Sequence, residues 1–210
     1  VSHEFRTPIS RLRFRHELAL GAPDAAKKDV QLHAMIDSID QLDDLARELL
    51  EYARLECETP KIDEVPIDVA SWLAELTEDA REIARVGHRT VDISGECGCA
   101  NIDGDYRYLT RAAGNLLRNA IRSAKSTIKV SVKRVNGRQS VMVEDDGPGI
   151  PVAERLRVFE PFARLDASRG RDLGGFGIGL AIVKQVARWH GGTVEIGDSV
   201  LGGASVTMTW

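Results

Sequence analysis

Between residues 32 and 53 the apolar positions Leu32, Met35, Ile39, Leu42, Ala46, Leu49 and Ala53 alternate spacings of three and four. That is a heptad seam held through three heptads, and it commits the stretch to one long helix with a buried stripe. Ile36, Leu45 and Leu50 widen the stripe beyond what a strict two-stranded coil requires. Upstream, Phe5, Leu12 and Ala19 recur every seven residues with Ile9 between them, so residues 1 to about 20 read as a second helix. The run GAPDAAKK separates the two helices: Gly21 and Pro23 break the chain and Asp24 supplies an N-cap. A lone hairpin of two such helices cannot bury both apolar faces. The pattern therefore predicts a homodimeric four-helix bundle.

The texture changes after Glu56. CETPKIDEVP, residues 57–66, carries two prolines and many charges and reads as an interdomain linker. Beyond it the sequence predicts helices around residues 70–85, 106–123 and 177–190 and strands in HRTVDIS, TIKVSVKRV, QSVMVED, GTVEIGD and GASVTMTW. Asp105 is placed to cap the middle helix, Gly191 and Gly192 to close the last one, and Asn136-Gly137 to turn a hairpin. Strands joined by hairpins, with helices in separate blocks, indicate an α+β fold: an open sheet with helices on one face.

Composition narrows the partners. With 210 residues, 43% hydrophobic and 29% charged, the chain is of globular type, and its net charge of -4 gives no general attraction to nucleic acid or anionic lipid. No apolar run approaches the roughly 18 residues needed to span a bilayer. The first residue already lies inside a helical pattern, which suggests a piece of a longer chain with any membrane segment upstream. Cys57, Cys97 and Cys99 form no disulfide framework, and Cys97-Gly98-Cys99 is too tight for a zinc knuckle, so they read as reduced thiols.

Four constellations carry chemistry. In SHEFRTPISRL, His3 lies about 180° around the helix from Leu12 and about 160° from Phe5, so it faces away from the seam, with Thr7 one turn on. An exposed imidazole is substantially neutral at physiological pH and can act as a nucleophile, and the adjacent Glu4 can offset the charge that develops on it. Pro8 cannot donate to the carbonyl of Glu4, which predicts a kink beneath the pair. In EDDGPGI, Asp145 ends a strand, where a carboxylate can accept from an exocyclic amine such as that of adenine, and Gly147 and Gly149 allow close backbone approach. In GGFGIGLAIVK, Gly175, Gly177 and Gly179 run into a helix whose free N–H groups suit an anion. In GNLLRNA, Asn115 and Asn119 share one helical face; paired asparagines are unfavourable in mid-helix, and amide oxygens suit a hard cation such as Mg2+. Phe159 and Phe162 precede a glycine-rich stretch suited to a mobile lid.

Taken in order, His3–Leu12, Asn115–Arg122, Asp145–Ile150, Phe159–Phe162 and Gly175–Gly179 resemble the H, N, G1, F and G2 boxes of the sensor histidine kinases of two-component systems. The resemblance covers essentially the whole chain. It implies a dimerisation and phosphotransfer domain over residues 1–58 and a catalytic ATP-binding domain of the gyrase-like (GHKL) α/β-sandwich fold over residues 59–210. His3 would be the phosphoacceptor, Glu4 would assist it, and Thr7 would position water when the partner is dephosphorylated. Asn119, with Asn115, would hold Mg2+ and phosphates, Asn119 being the residue tied to the metal through the ATP phosphates. Asp145 would recognise adenine, with Gly147, Gly149 and Ile150 shaping its turn. Gly175, Gly177, Ile178, Gly179 and Leu180 would line the phosphate loop beneath a lid that includes Phe162. The family usually shows Lys and then an aromatic residue or His after the second asparagine, whereas here Arg122 keeps the charge and Ser123 offers no ring.

The resemblance further implies autophosphorylation with Mg-ATP, transfer to an aspartate of a response-regulator receiver domain, possible dephosphorylation of that regulator, and a homodimer through residues 1–58. No nucleic-acid partner is expected, and the chain would be the cytoplasmic portion of an inner-membrane sensor. A gyrase-like ATPase clamp fits poorly, because such proteins lack the His3 segment and the helical hairpin. A non-catalytic dimeric scaffold fits poorly because His3, Asn119, Asp145 and the glycines are intact.

Overall fold

Two helices and a layered sheet domain account for the chain in a computed structural model that describes residues 2–57, 60–135, 137–165 and 176–210. The side chains of residues 2–4, 51 and 135 lie outside that description. The chain divides into two compact units, one built on residues up to Arg54 and the other beginning at Leu55.

The first unit is the predicted hairpin. Helix α1 spans Ser2–Leu20 and helix α2 spans Ala25–Cys57. Asp24 caps α2 as expected, accepting the Lys27 N–H on Oδ1 at 2.8 Å. α1 runs as one helix through Pro8, whose ring is buried. Pro8 and Ala19 of α1 and Ser38 and Leu45 of α2 are buried, and Arg15 of α1 donates to Gln31 of α2 at 2.9 Å. Much of the heptad seam stays open: Leu32, Ile36, Ile39 and Leu50 are exposed, as are Ile9 and Leu18. Among the described residues, part of the wide apolar stripe on α2 is thus buried and part is exposed.

The second unit opens with β1 (Val65–Asp68), which takes Val65 and Pro66 out of the expected linker and into a strand. β1 pairs antiparallel with β3 (Asn101–Gly104), a short strand that the alternation did not reveal. A five-stranded sheet follows, in the order β2-β4-β5-β7-β6, with β2 spanning Asp92–Cys97, β4 Thr127–Val135, β5 Arg138–Asp145, β6 Thr193–Asp198 and β7 Ala204–Thr209. β2 runs parallel to β4, and the remaining neighbours are antiparallel. Gly137 turns the β4–β5 hairpin at φ +79°; Asn136 lies outside the described residues.

Register places one apolar row from each strand on a common face. Ile93 aligns with Ile128, Val130 with Val143 and Val206, and Val132 with Val141 and Met208. This face is covered by α3 (Val69–Val86), α4 (Tyr106–Ser123) and α5 (Gly179–Trp189), each with a strongly amphipathic sequence. Asp68 caps α3 through the Ser71 N–H and Asp105 caps α4 through the Arg107 N–H. Trp72 sits at 1% exposure between α3 and α4, its Nε1–H donating to Thr110 Oγ1 at 2.8 Å. His190 and Gly191 end α5 as the glycine pair predicts, and the Gly192 N–H returns to the Ala187 carbonyl at 2.8 Å.

Candidate functional site

Helix α4 is the spine of the site. Its buried face carries Leu109, Ala113, Leu116, Leu117 and Ala120 into the core, which sets its rotation and brings Asn115 to the packed side at 8% exposure. Asn115 donates from Nδ2 to the Arg111 carbonyl at 3.0 Å, so its amide nitrogen serves its own helix. Its Oδ1 faces the beginning of α5: a Cβ placed on Gly179 would stand 3.1 Å from that oxygen. Asn119, one turn on, is half-buried, and Arg122 is half-buried in the last turn.

α5 begins without a side-chain cap, after Gly177 at φ +75° and a fully buried Ile178. Its first N–H groups therefore carry the positive end of the helix, with no side-chain cap among the described residues. The phenylalanine segment meets the same turn. Phe162, itself at φ +67°, donates its N–H to the Gly177 carbonyl at 2.9 Å, and a Cβ on Gly177 would come within 2.6 Å of the Ala163 carbonyl. Phe162 is half-buried, whereas Phe159 is core at 7% exposure. Gly175 lies outside the described residues.

The other end of α4 meets Asp145. This residue closes β5 on the helix-covered face, paired with Ile128 and 3% exposed. Oδ1 accepts N–H groups from Gly147 at 2.8 Å and Ala204 at 3.3 Å, leaving Oδ2 without a donor among the described residues. Burial pushes its carboxyl above the ordinary range, and those two N–H groups pull it part of the way back. Gly147 is packed so closely that a Cβ would stand 2.5 Å from the Ser123 carbonyl and 2.7 Å from Asp145 Oδ1. Gly149 adopts φ +73°, and Ile150 is buried behind the turn. Ile150, Ile178 and Leu180 are all at least nine-tenths buried, so each shapes the backbone from behind.

Two supports escaped the sequence. The Gly203 N–H donates to the Asp145 carbonyl at 3.1 Å, and a Cβ there would collide with Oδ1, that carbonyl and the Gly147 nitrogen. The only sequence signal was the Gly202-Gly203 pair, readable as a hairpin turn and no more. Asp146 takes the Lys125 N–H at 2.7 Å, the Ser126 N–H at 3.0 Å and the Ser126 hydroxyl at 2.7 Å, fastening the turn to the start of β4. The Ser126 contact first, then the backbone donors, holds its carboxyl far below the usual range.

From Asn115 to Ser123 the helix rises roughly 12 Å. An anion-seeking helix start lies at one end and a buried carboxylate at the other. Amide oxygen, free N–H groups, a guanidinium and an amine acceptor along such a line suit a molecule with phosphates at one end and a base at the other. An open cavity of about 480 Å³ lies beside Pro148–Val152 and the β6–β7 turn, walled by Arg155 and Asp198. It shares Gly149, Ile150 and Gly203 with the turn but none of the α4 amides, so it is a separate feature.

In the helical unit, His3 and Glu4 fall in the first turn of α1, with side chains outside the description, and Thr7 is exposed. No helix among the described residues is long and apolar enough to cross a membrane.

Comparison with known proteins bears on both units. Residues 104–210 match the family described as histidine kinase-, DNA gyrase B- and HSP90-like ATPases, and residues 1–58 match the His kinase A phospho-acceptor domain. The chain is 39% identical to sensor protein RstB of Escherichia coli K12 over 210 residues, covering 100% of this chain and 47% of RstB. It is 31% identical to sensor histidine kinase CpxA of the same organism over 208 residues, covering 99% and 45%. Full-length ShkA, solved in complex with AMPPNP, superposes with a TM-score of 0.73 at 26% identity, covering 99% of this chain and 44% of ShkA. The chain thus spans about half the length of the curated relatives it matches.

Proposed function

The chain belongs to the sensor histidine kinases of two-component systems, and from that premise we propose that it binds ATP along α4 and transfers the γ-phosphoryl group to His3. The observation that carries this reading is the α4 line itself: Asn115 against the uncapped start of α5 at one end, and Asp145 beneath Gly147 at the other. Asp145 accepts the adenine amine on Oδ2, its position held by Gly147, Ala204 and Gly203. The N–H groups at Gly179 and Leu180, with Gly175 and Gly177 allowing close approach, receive the phosphates. Arg122, in the last turn of α4, keeps positive charge near the nucleotide, and Phe162 anchors the segment that covers the nucleotide.

The residues fit a magnesium ion carried with the phosphates: Asn119 is a half-buried amide one turn from Asn115, whose oxygen faces the helix start. Bound there, the ion would neutralise charge on the transferring phosphoryl group. His3 attacks as a neutral imidazole, and Glu4 offsets the charge gained by the ring. The phosphoryl group then passes to an aspartate of a response-regulator receiver domain, and Thr7 orients water for the reverse dephosphorylation. Residues 1–58 pair with a second copy, residues 59–210 form the catalytic domain, and the chain works on the cytoplasmic side of a membrane-anchored sensor.

Incubation with γ-labelled Mg-ATP tests the central claim. An acid-labile, alkali-stable label that disappears in His3→Gln is the expected outcome. Normal ATP binding with no label on the wild-type chain would refute it.

A further inference from the structure

Cys97-Gly98-Cys99 is a motif that phosphotransfer leaves unused. It closes β2, the edge strand, at the end of the sheet away from Asp145: Cys97 pairs with Val132, whereas Asp145 pairs with Ile128 four residues earlier on β4. Both thiols are free and reachable, Cys97 exposed and Cys99 partly so. The turn between them is held on both sides. The Gly98 N–H donates to the Val132 carbonyl at 2.8 Å, and the Ala100 carbonyl accepts the Val69 N–H at 2.9 Å. Gly98 is obligatory there, because a Cβ would stand 2.9 Å from the Val132 carbonyl and 3.0 Å from Lys133 Cγ. Within this frame Cys97 folds back over its neighbour, its Sγ donating to the Cys99 carbonyl at 2.9 Å. Burial raises the Cys99 thiol, Cys97 adds to that rise, and Arg134 opposes it.

We propose that Cys97 and Cys99 form a preorganised dithiol site for a thiophilic metalloid, with a monosubstituted trivalent arsenical as its ligand class. Ligand count selects that class. No cluster of three or more metal-ligating side chains exists among the described residues, so a structural zinc, which takes four ligands, is not served. A monosubstituted arsenical needs two sulfurs. In the reaction with an arsine oxide, R–As=O, two As–S bonds form and the As=O bond breaks. The two thiol protons leave with the oxide oxygen as one water, and no oxidant or reductant is needed. Soft thiolates favour such a centre over carboxylate or imidazole. The backbone hydrogen bonds around Gly98 mean that little chain entropy is lost on closing the ring.

The reduced full chain with phenylarsine oxide tests this by intact mass and peptide mapping. One phenylarsenic adduct per chain is expected, resistant to excess monothiol and released by a dithiol, on the peptide that contains both Cys97 and Cys99. Cys57→Ser keeps the adduct; Cys97→Ser and Cys99→Ser each lose it. Three titratable thiols without an adduct would overturn the proposal, as would retention in either single variant or mapping to Cys57. Peptide mapping uses the wild-type chain, so the location of the adduct is decided whether or not either variant folds.

Discussion

The side-chain oxygen of Asn115 on α4 faces Gly179 at the first turn of α5, 3.1 Å from the place a Cβ would occupy. Two motifs separated by more than sixty residues thereby meet at one corner, where the proposed phosphate site lies. Gly179→Ala adds a methyl group against that oxygen at a helical position where alanine is otherwise favoured. Thermal stability should change little while ATP affinity falls severalfold, as read by calorimetric titration. Unchanged affinity would separate Asn115 from the phosphate site.

Asp145→Asn should weaken ATP binding about 10- to 100-fold, the loss of one charge-assisted hydrogen bond of about 1.5–3 kcal/mol. The amide can satisfy the Gly147 and Ala204 donors only by turning its NH2 towards the adenine amine. Fluorescent-nucleotide titration reads the change, and retained circular dichroism shows that the fold persists.

Gly203→Ala forces a Cβ onto backbone atoms of Asp145 and Gly147, which cannot swing aside as a side-chain tip would. Overpacking of this kind typically costs about 1–3 kcal/mol. Urea unfolding should show that loss, with nucleotide affinity reduced alongside it because Asp145 moves.

Asp146 supplies a pH signature. The Ser126 contact, then backbone donors, depresses its folded-state pKa below that of the unfolded chain. Its stabilisation is therefore complete above the unfolded value of about 3.9 and fades as the pH falls below it. Urea unfolding of wild type and Asp146→Asn should give a constant stability gap at neutral and weakly acid pH, narrowing below about pH 4. A gap independent of pH would remove the ionised carboxylate from the explanation.

Ile36 and Ile39 are each more than half exposed in the single chain. Covering such a side chain contributes about 1.5–3 kcal/mol, so placing a charge at both positions should split a dimer. Analytical ultracentrifugation of Ile36→Asp/Ile39→Asp should give a monomer whose catalytic unit still binds ATP.

Short-range rules determined the elements. The heptad spacing produced α1 and α2, alternation produced four of the five main strands within a residue or two, and Asp24 and Asp105 capped the helices they precede. Pattern also located residues worth watching: paired mid-helix asparagines conflict with local preference unless something uses them, whereas Asp-Gly-Pro-Gly alone reads as an ordinary turn. Partnership depended on tertiary structure. β3 is four residues long and exists by pairing with β1, a contact between distant segments that leaves no periodic trace. The Pro66 that looked like linker is strand for the same reason. Only the folded sheet brings Gly203 under Asp145 and Ser126 to Asp146, since hydrogen bonds from the far hairpin and from the α4–β4 turn have no counterpart in sequence spacing. The heptad on α2 fixes a face, but only the folded chain decides which of its residues are covered: Leu45 is buried, whereas Leu32, Ile36, Ile39 and Leu50 stay exposed, because periodicity sets direction around a helix and packing sets what meets it.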